Sequence, residues 1–278
     1  RVYEIPEGGK NSKGRAIQNL INIEQDDTVK AFLVTEDLKI ESYVNSHYVI
    51  MATKKGQVKK TSLEQYSRPR ANGINAITIK DGDELIEAKL TTGESQVMLG
   101  LKSGKAIRFE ESKTRPMGRN ASGVRGITLA NKHDEVIGMI AVDDINSDIL
   151  VVSENGYGKR SKLEDYRITN RGGKGVKTIN ITDKTGNLVA VKDVKDDDDL
   201  MIINKSGIAI RLAVGDLRVM GRATQGVKLI NIKDNDSIAA VAKVMHEEDV
   251  VDVADENDIE IDNGTEIENN EEDNLNLE

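Results

Sequence analysis

Residues 169–181 read TNRGGKGVKTINI, with three glycines and three cations between Arg171 and Lys177. Glycine lets a backbone approach a phosphate closely, and Lys or Arg neutralises it. The chemistry implied is phosphate binding, either of a nucleotide in a pocket or of a polymer along a surface. A nucleotide P-loop needs GxxxxGK[ST] between a strand and a helix. Here Ile168 stands where its first glycine belongs, and the segment runs on into an alternating, strand-like stretch. A polymer is the better fit.

The loop is one of a set. SRPRANGINAITI (67–79), MGRNASGVRGITL (117–129) and MGRATQGVKLINI (220–232) repeat it, with last loop glycines Gly73, Gly123, Gly175 and Gly226. KNSKGRAIQNLINI (10–23) is a fifth copy, around Gly14. Cations flank each: Lys13 and Arg15; Arg68 and Arg70; Arg115, Arg119 and Arg125; Arg167, Arg171, Lys174 and Lys177; Arg218, Arg222 and Lys228. In the opening copy Gly172 and Gly173 add to Gly175.

The elements that carry these loops also repeat. YVIMATKKGQVKKT (48–61), SQVMLGLKSGKAIRF (95–109), SDILVVSENGYGKRS (147–161) and DLMIINKSGIAIRL (199–212) are each an apolar run, a polar pair, a glycine and a cationic run. Their glycines, Gly56, Gly104, Gly156 and Gly207, are spaced 48, 52 and 51 residues apart. Two-residue turns such as Asn155-Gly156 require positive φ, so each repeat is expected to open as a β-hairpin. A second group of cations follows: Lys59 and Lys60, Arg108, Lys159 and Arg160, and Arg211. Each repeat then passes an acidic turn, such as DGDE (81–84) or NKHDE (131–135), into a short apolar strand.

About four strands in a repeat of some 50 residues, without a 3.6-residue periodicity, predict an all-β fold of propeller-like blades. The expected repeats are 1–47 (truncated), 48–94, 95–146, 147–198 and 199–250. Blades set equivalent residues at equivalent places, so both groups of cations are expected on one basic rim. Ordinary solvated edge-strand charge is the plain alternative for any single Lys.

Residues 251–278 hold 12 Asp and Glu and no Lys or Arg, although the whole chain carries −9. The body is thus mildly basic, with 39 cationic against 36 acidic side chains, and the acidic tail is expected to be disordered. That tail could compete with nucleic acid for the rim. Aromatic residues are 3% of the chain, with no Trp, which argues against stacking recognition of single strands. Cysteine is absent, so thiol catalysis and disulfides are excluded, in keeping with a cytoplasmic location. The longest apolar run, Val136 to Val142, is too short to cross a bilayer. The chain opens on Arg1 rather than Met, as a piece of a longer protein would.

His47, His133 and His246 do not cluster, and the acidic turns, with Asp196 to Asp199, lack the order of a calcium loop. They read as solvated turns. Met117 and Met220 precede Gly-Arg in equivalent places and read as core filler. No local nucleophile–base pair appears.

Repeated phosphate-binding loops suit duplex DNA held by its backbone. Bending a 20–30 bp site by 40–90° costs on the order of 1–6 kcal/mol. Non-specific binding by one surface gives roughly 5–8 kcal/mol. One patch could not hold DNA that continues to bend; several on a rigid scaffold could.

RVYEIPEGGKNSKGRAIQNLINI, YVIMATKKGQVKKT, KAIRFEESKTRPMGRNASGVRGITL and NGYGKRSKLEDYR resemble the C-terminal domain of DNA gyrase A, over about 1–245. The resemblance implies a six-bladed β-pinwheel whose blades exchange strands, and which wraps duplex DNA for negative supercoiling. It implies a bacterial, cytoplasmic, nucleoid-associated enzyme in which the cleavage core of gyrase A and the gyrase B protein are partners. ATP and Mg would be used elsewhere in that enzyme; this domain would be monomeric in isolation and carry no cofactor, metal or catalytic site. The family's basic box, QRRGGKG, belongs to its first blade. Here the similar Asn170-Arg171-Gly172-Gly173-Lys174-Gly175 lies in a later repeat, so the first blade is expected to be absent or incomplete. The equivalent domain of topoisomerase IV is one alternative, and a propeller-like scaffold for an acidic protein partner is another.

Overall fold

The computed structural model describes residues 5–245, apart from 9–12, 14, 22, 24–26, 71, 234 and 235. Gly14, His246 and the acidic stretch 251–278 lie outside the described residues.

Fifteen strands follow in order among the described residues: β1 (Tyr48–Thr53), β2 (Gln57–Ser62), β3 (Leu85–Thr91), β4 (Gln96–Leu101), β5 (Lys105–Glu110), β6 (Val124–Arg125), β7 (Val136–Val142), β8 (Asp148–Ser153), β9 (Tyr157–Lys162), β10 (Val176–Lys177), β11 (Leu188–Val194), β12 (Asp198–Asn204), β13 (Ala209–Ala213), β14 (Val227–Lys228) and β15 (Ile238–Met245). They form antiparallel sheets in the orders β3-β1-β2-β6, β7-β4-β5-β10, β11-β8-β9-β14 and β15-β12-β13. The fold is all-β, as the repeats predict. Among the described residues one six-residue α-helix, α1 (Glu41–Ser46), has no counterpart in the sequence pattern, and no strand forms before β1.

Each four-stranded sheet takes three strands from one repeat and its fourth from the next. β6 joins β2 through Gln57↔Arg125 and Val58↔Val124, β10 joins β5 through Val176↔Ala106, and β14 joins β9 through Val227↔Gly158. The hairpin turns differ in detail from the sequence expectation. Three of them are three-residue loops, such as residues 54–56, in which the terminal glycine takes the left-handed conformation at φ 83° for Gly56 and 79° for Gly156; the fourth, 205–208, is one residue longer.

The cores lie between successive sheets. Ile50 and Val58 of one sheet pack with Val97, Leu99, Ile107 and Phe109 of the next, and Met98 and Ile140 with Ile149, Val151 and Tyr166 of the one after. Central strands are therefore buried on both faces, which is why they read as continuous apolar runs rather than alternating ones.

The acidic turns are not merely solvated. Asp83 accepts from Lys55 N at 2.8 Å and Thr53 Oγ1 at 2.7 Å. Asp134, itself buried, accepts from Ser103 N and Oγ at 3.0 and 2.8 Å. Each carboxylate ties down a hairpin turn of the same sheet, satisfying N–H groups that the turn leaves free.

Candidate nucleic-acid interface

The two groups of cations have opposite fates. Those after the hairpin glycine, expected on the rim, are inside. Lys59, Lys60, Arg108, Lys159 and Arg160 are all buried: consecutive side chains leave β2 and β9 on opposite faces, but the exchanged strand and the segment leading to it close the edge of β2, β5 and β9, and both faces are covered. Lys60 pairs with fully buried Glu111 at 3.6 Å. Arg108 Nη1 donates to Leu163 O at 2.7 Å and Tyr166 O at 2.9 Å, and Nε to Gln96 Oε1 at 2.8 Å. Arg160 pairs with Asp196 and lies 3.8 Å from Asp148. Arg211 is exposed but held by Asp199 at 2.7 Å. Most of these cations staple one repeat to the next rather than facing solvent. The signal for their burial was in the repeat itself: Lys59 and Lys159 occupy the position filled by Ile107 and Ile210 elsewhere.

The loop cations are outside. Lys13, Arg15, Arg68, Arg70, Arg115, Arg125, Arg167, Lys174, Lys177, Arg218 and Lys228 are exposed, and Arg119, Arg171 and Arg222 are half-buried. Those three arginines share one task. Arg119 Nη1 donates to Asn75 O at 3.3 Å, Arg171 Nη1 to Arg125 O at 3.1 Å and Arg222 Nη1 to Lys177 O at 2.9 Å. Each reaches back to the equivalent carbonyl of the preceding loop. Forward bonds answer them: Thr78 N donates to Ala121 O at 3.2 Å, Thr128 N to Gly173 O at 2.8 Å and Asn180 N to Thr224 O at 3.1 Å. The four loops are spliced into one continuous row.

The last loop glycines have a reason the sequence did not give. Gly123, Gly175 and Gly226 lie at φ 86°, 71° and 84°. A β-carbon at Gly175 would sit 2.5 Å from Ala106 O, and one at Gly226 2.6 Å from Gly158 O. Close approach here is of backbone to backbone, where the exchanged strand meets the hairpin. Gly73 also has positive φ, but a β-carbon there would meet open space.

The row holds no carboxylate: residues 67–80, 112–130, 166–182 and 217–233 contain no Asp or Glu. The exposed cations thus face solvent without local countercharge, at repeated places on consecutive loops. Such an array attracts a polyanion, and its regular recurrence suits one with a regular backbone. The two described histidines add nothing to it: His47 Nδ1 lies 2.8 Å from Tyr43 O, and His133 is exposed in a turn.

A family model described as DNA gyrase C-terminal domain, beta-propeller, matches residues 1–36, 47–92, 102–143, 147–195 and 198–245. The DNA gyrase A protein of Staphylococcus epidermidis is 44% identical over 248 residues, 89% of this chain and 27% of that protein. Its Staphylococcus aureus counterpart is 43% identical over 257 residues, 92% and 28% respectively. The chain therefore spans little more than a quarter of the length of these relatives. Among solved structures, a DNA gyrase A C-terminal domain aligns with TM-score 0.74 and 25% identity over 84% of this chain and 76% of its own. A DNA topoisomerase IV C-terminal domain aligns with TM-score 0.79 and 24% identity over 88% and 75%, a likeness of fold. With matching repeats, exchanged strands and a family model covering most of its length, the chain belongs to the DNA gyrase C-terminal domain family.

Proposed function

We propose that this chain holds duplex DNA along its row of loops and wraps it, serving a DNA gyrase as the element that makes negative supercoiling possible. The observation that carries the reading is the continuous row of loops free of carboxylates and lined by exposed cations. The contacts are phosphate contacts, made by Arg68, Arg70, Arg115, Arg125, Arg167, Lys174, Lys177, Arg218 and Lys228, with Lys13 and Arg15 extending the set. Contacts to phosphate carry no base information, so binding is independent of sequence. Arg119, Arg171 and Arg222 hold the loops in line.

The domain contributes grip and geometry, not bond chemistry. The cleavage core of gyrase A and the gyrase B protein are its partners, ATP and Mg act there, and the isolated domain is a monomer without a cofactor. Its setting is the bacterial cytoplasm, on the nucleoid. Among the described residues no helix is long and apolar enough to cross a membrane.

The test is topological. The chain is incubated with nicked circular plasmid at low salt, the nick is ligated, protein is removed and topoisomers are resolved. A dose-dependent shift in linking number is the expected result. Tight, salt-sensitive binding without a shift would favour the weaker-wrapping role of a topoisomerase IV domain, whose fold is equally close. No binding would favour a protein scaffold.

A further inference from the structure

Lys59 on β2 and Lys159 on β9 are 0% and 1% exposed. Their ammonium groups end beneath the basic loops. Lys59 Nζ donates to Arg119 O at 2.6 Å and to Ala76 O. Lys159 Nζ donates to Gly221 O at 2.5 Å and Thr224 Oγ1 at 3.2 Å. All these acceptors are neutral, and among the described residues no carboxylate bonds to either ammonium.

A buried cation without an anionic partner is costly. At Lys59 the neighbouring Arg119 adds to that cost; at Lys159 the attraction of nearby Asp165 exceeds the repulsion of Arg222, and burial outweighs both. The four-stranded sheet between them in the chain, with Ile107 on β5, avoids the problem. The loop over Ile107 instead carries Lys174, where the loops over Lys59 and Lys159 have Ser122 and Gln225. Each of these three loops thus has one such cation, two from beneath and one on the loop itself.

We propose that Lys59 and Lys159 are positioning residues for DNA, buried cations with no carboxylate bonded to them among the described residues, whose charge is balanced by phosphate bound over the loops they support. Holding loop carbonyls inward leaves the loop's outer face to cations and N–H groups, and the buried charges add to its positive potential. This inference rests on the DNA-binding reading of the row. Its consequence is a coupling of grip to protonation. Desolvation, helped at Lys59 by Arg119 and opposed at Lys159 by Asp165, brings both lysines down to about 8. The tyrosines packed beside them shift the other way: Tyr66 is raised by burial, and Tyr166 is pushed up to about 12. Phosphate overhead favours the charged ammonium, so binding near pH 8 draws in protons.

The test measures proton uptake when the 278-residue chain binds a mixed-sequence duplex, by calorimetry in buffers of different ionisation enthalpy. Uptake is expected at pH 8 and absent at pH 6, with affinity roughly tenfold lower at pH 9 than at pH 7. In K59M/K159M, uptake at pH 8 and the fall in affinity should both disappear. If that variant does not fold, nitrogen-15 NMR of the lysine side chains in the unaltered chain reads the same quantity; both Nζ pKa values should rise when duplex is added. Binding without uptake at pH 8, uptake that persists in a folded variant, or Nζ pKa values unmoved by duplex would overturn the proposal. No binding at either pH would instead overturn the DNA reading, and this inference with it.

Discussion

Arg108 on β5 and Arg125 on β6 are the same residue type in the same repeat. One is enclosed by three hydrogen-bond acceptors and tied to the next blade; the other stands in solvent with no acidic residue in its own loop segment. Between the two sets of cations runs the division between what holds this protein together and what it offers to a ligand. Charge pattern alone does not tell them apart. The strand exchange does, because it covers the hairpin strand and leaves the loop turned outward.

That contrast can be tested from its inner side first. Arg108→Met should leave Leu163 O, Tyr166 O and the Gln96 amide oxygen without their donor. The cost is about 4 kcal/mol in urea denaturation, while the salt dependence of DNA binding per folded molecule stays unchanged. A marked loss of salt dependence instead would return Arg108 to the DNA surface.

Gly123→Ala comes next. It forces a side chain into positive φ against the Val58 carbonyl, and should cost about 2–3 kcal/mol of stability by loosening β6 from β2. Gly73→Ala, where the β-carbon would meet open space, should cost only the strain of its φ, about 1 kcal/mol. Equal effects at the two sites would remove the strand exchange as the cause.

The buried lysines give a pH dependence of definite sign. Their folded pKa values near 8 lie below the ordinary lysine value, so the unfolded chain binds more protons between pH 8 and about 10.4. The penalty is present in full below pH 8 and is relieved as pH rises. Stability should therefore increase by about 1–2 kcal/mol per lysine between pH 7.5 and 9.5, followed by thermal melting. DNA affinity should fall over the same interval, so the two curves cross in opposite directions. Melting that is flat with pH in the unaltered chain would sink this account.

The smallest change in stability belongs to the outer set. Replacing Arg125, Lys177 and Lys228 by Ala should leave the melting point where it was. The slope of log affinity against log salt should drop by about one per residue removed. An unchanged slope would move the binding surface elsewhere.

Much of this was legible in the sequence. The glycine spacing gave the hairpins, and the second glycine motif gave the loops with their cations. The burial of Lys59 and Arg108 was not, because KK and R after a turn look like an exposed edge. A strand covered by an exchanged partner and by the neighbouring blade has no exposed edge, and its polar residues must bond inward. Comparing copies would have shown it for Lys59, since no surface rule puts Ile107 where Lys59 stands, but not for Arg108, whose place is cationic in every copy. The loop-to-loop splice by Arg119, Arg171 and Arg222 is hidden for another reason. Its acceptors are backbone carbonyls, which no side-chain pattern reports.

The forward direction of the exchange also sets a timetable. The sheet begun at Tyr48 receives its last strand only when Arg125 exists, and the one begun at Gln96 waits for Lys177. During synthesis from the N-terminus, each blade is finished one repeat late, and every newly made hairpin spends that interval with an open edge. β13 shows what such an edge looks like. It has no strand beyond it among the described residues, its side chains alternate between exposed and half-buried, and Ile208 beside it is 48% exposed. A ribosome that stalls within one repeat would therefore leave its mark on the blade before it.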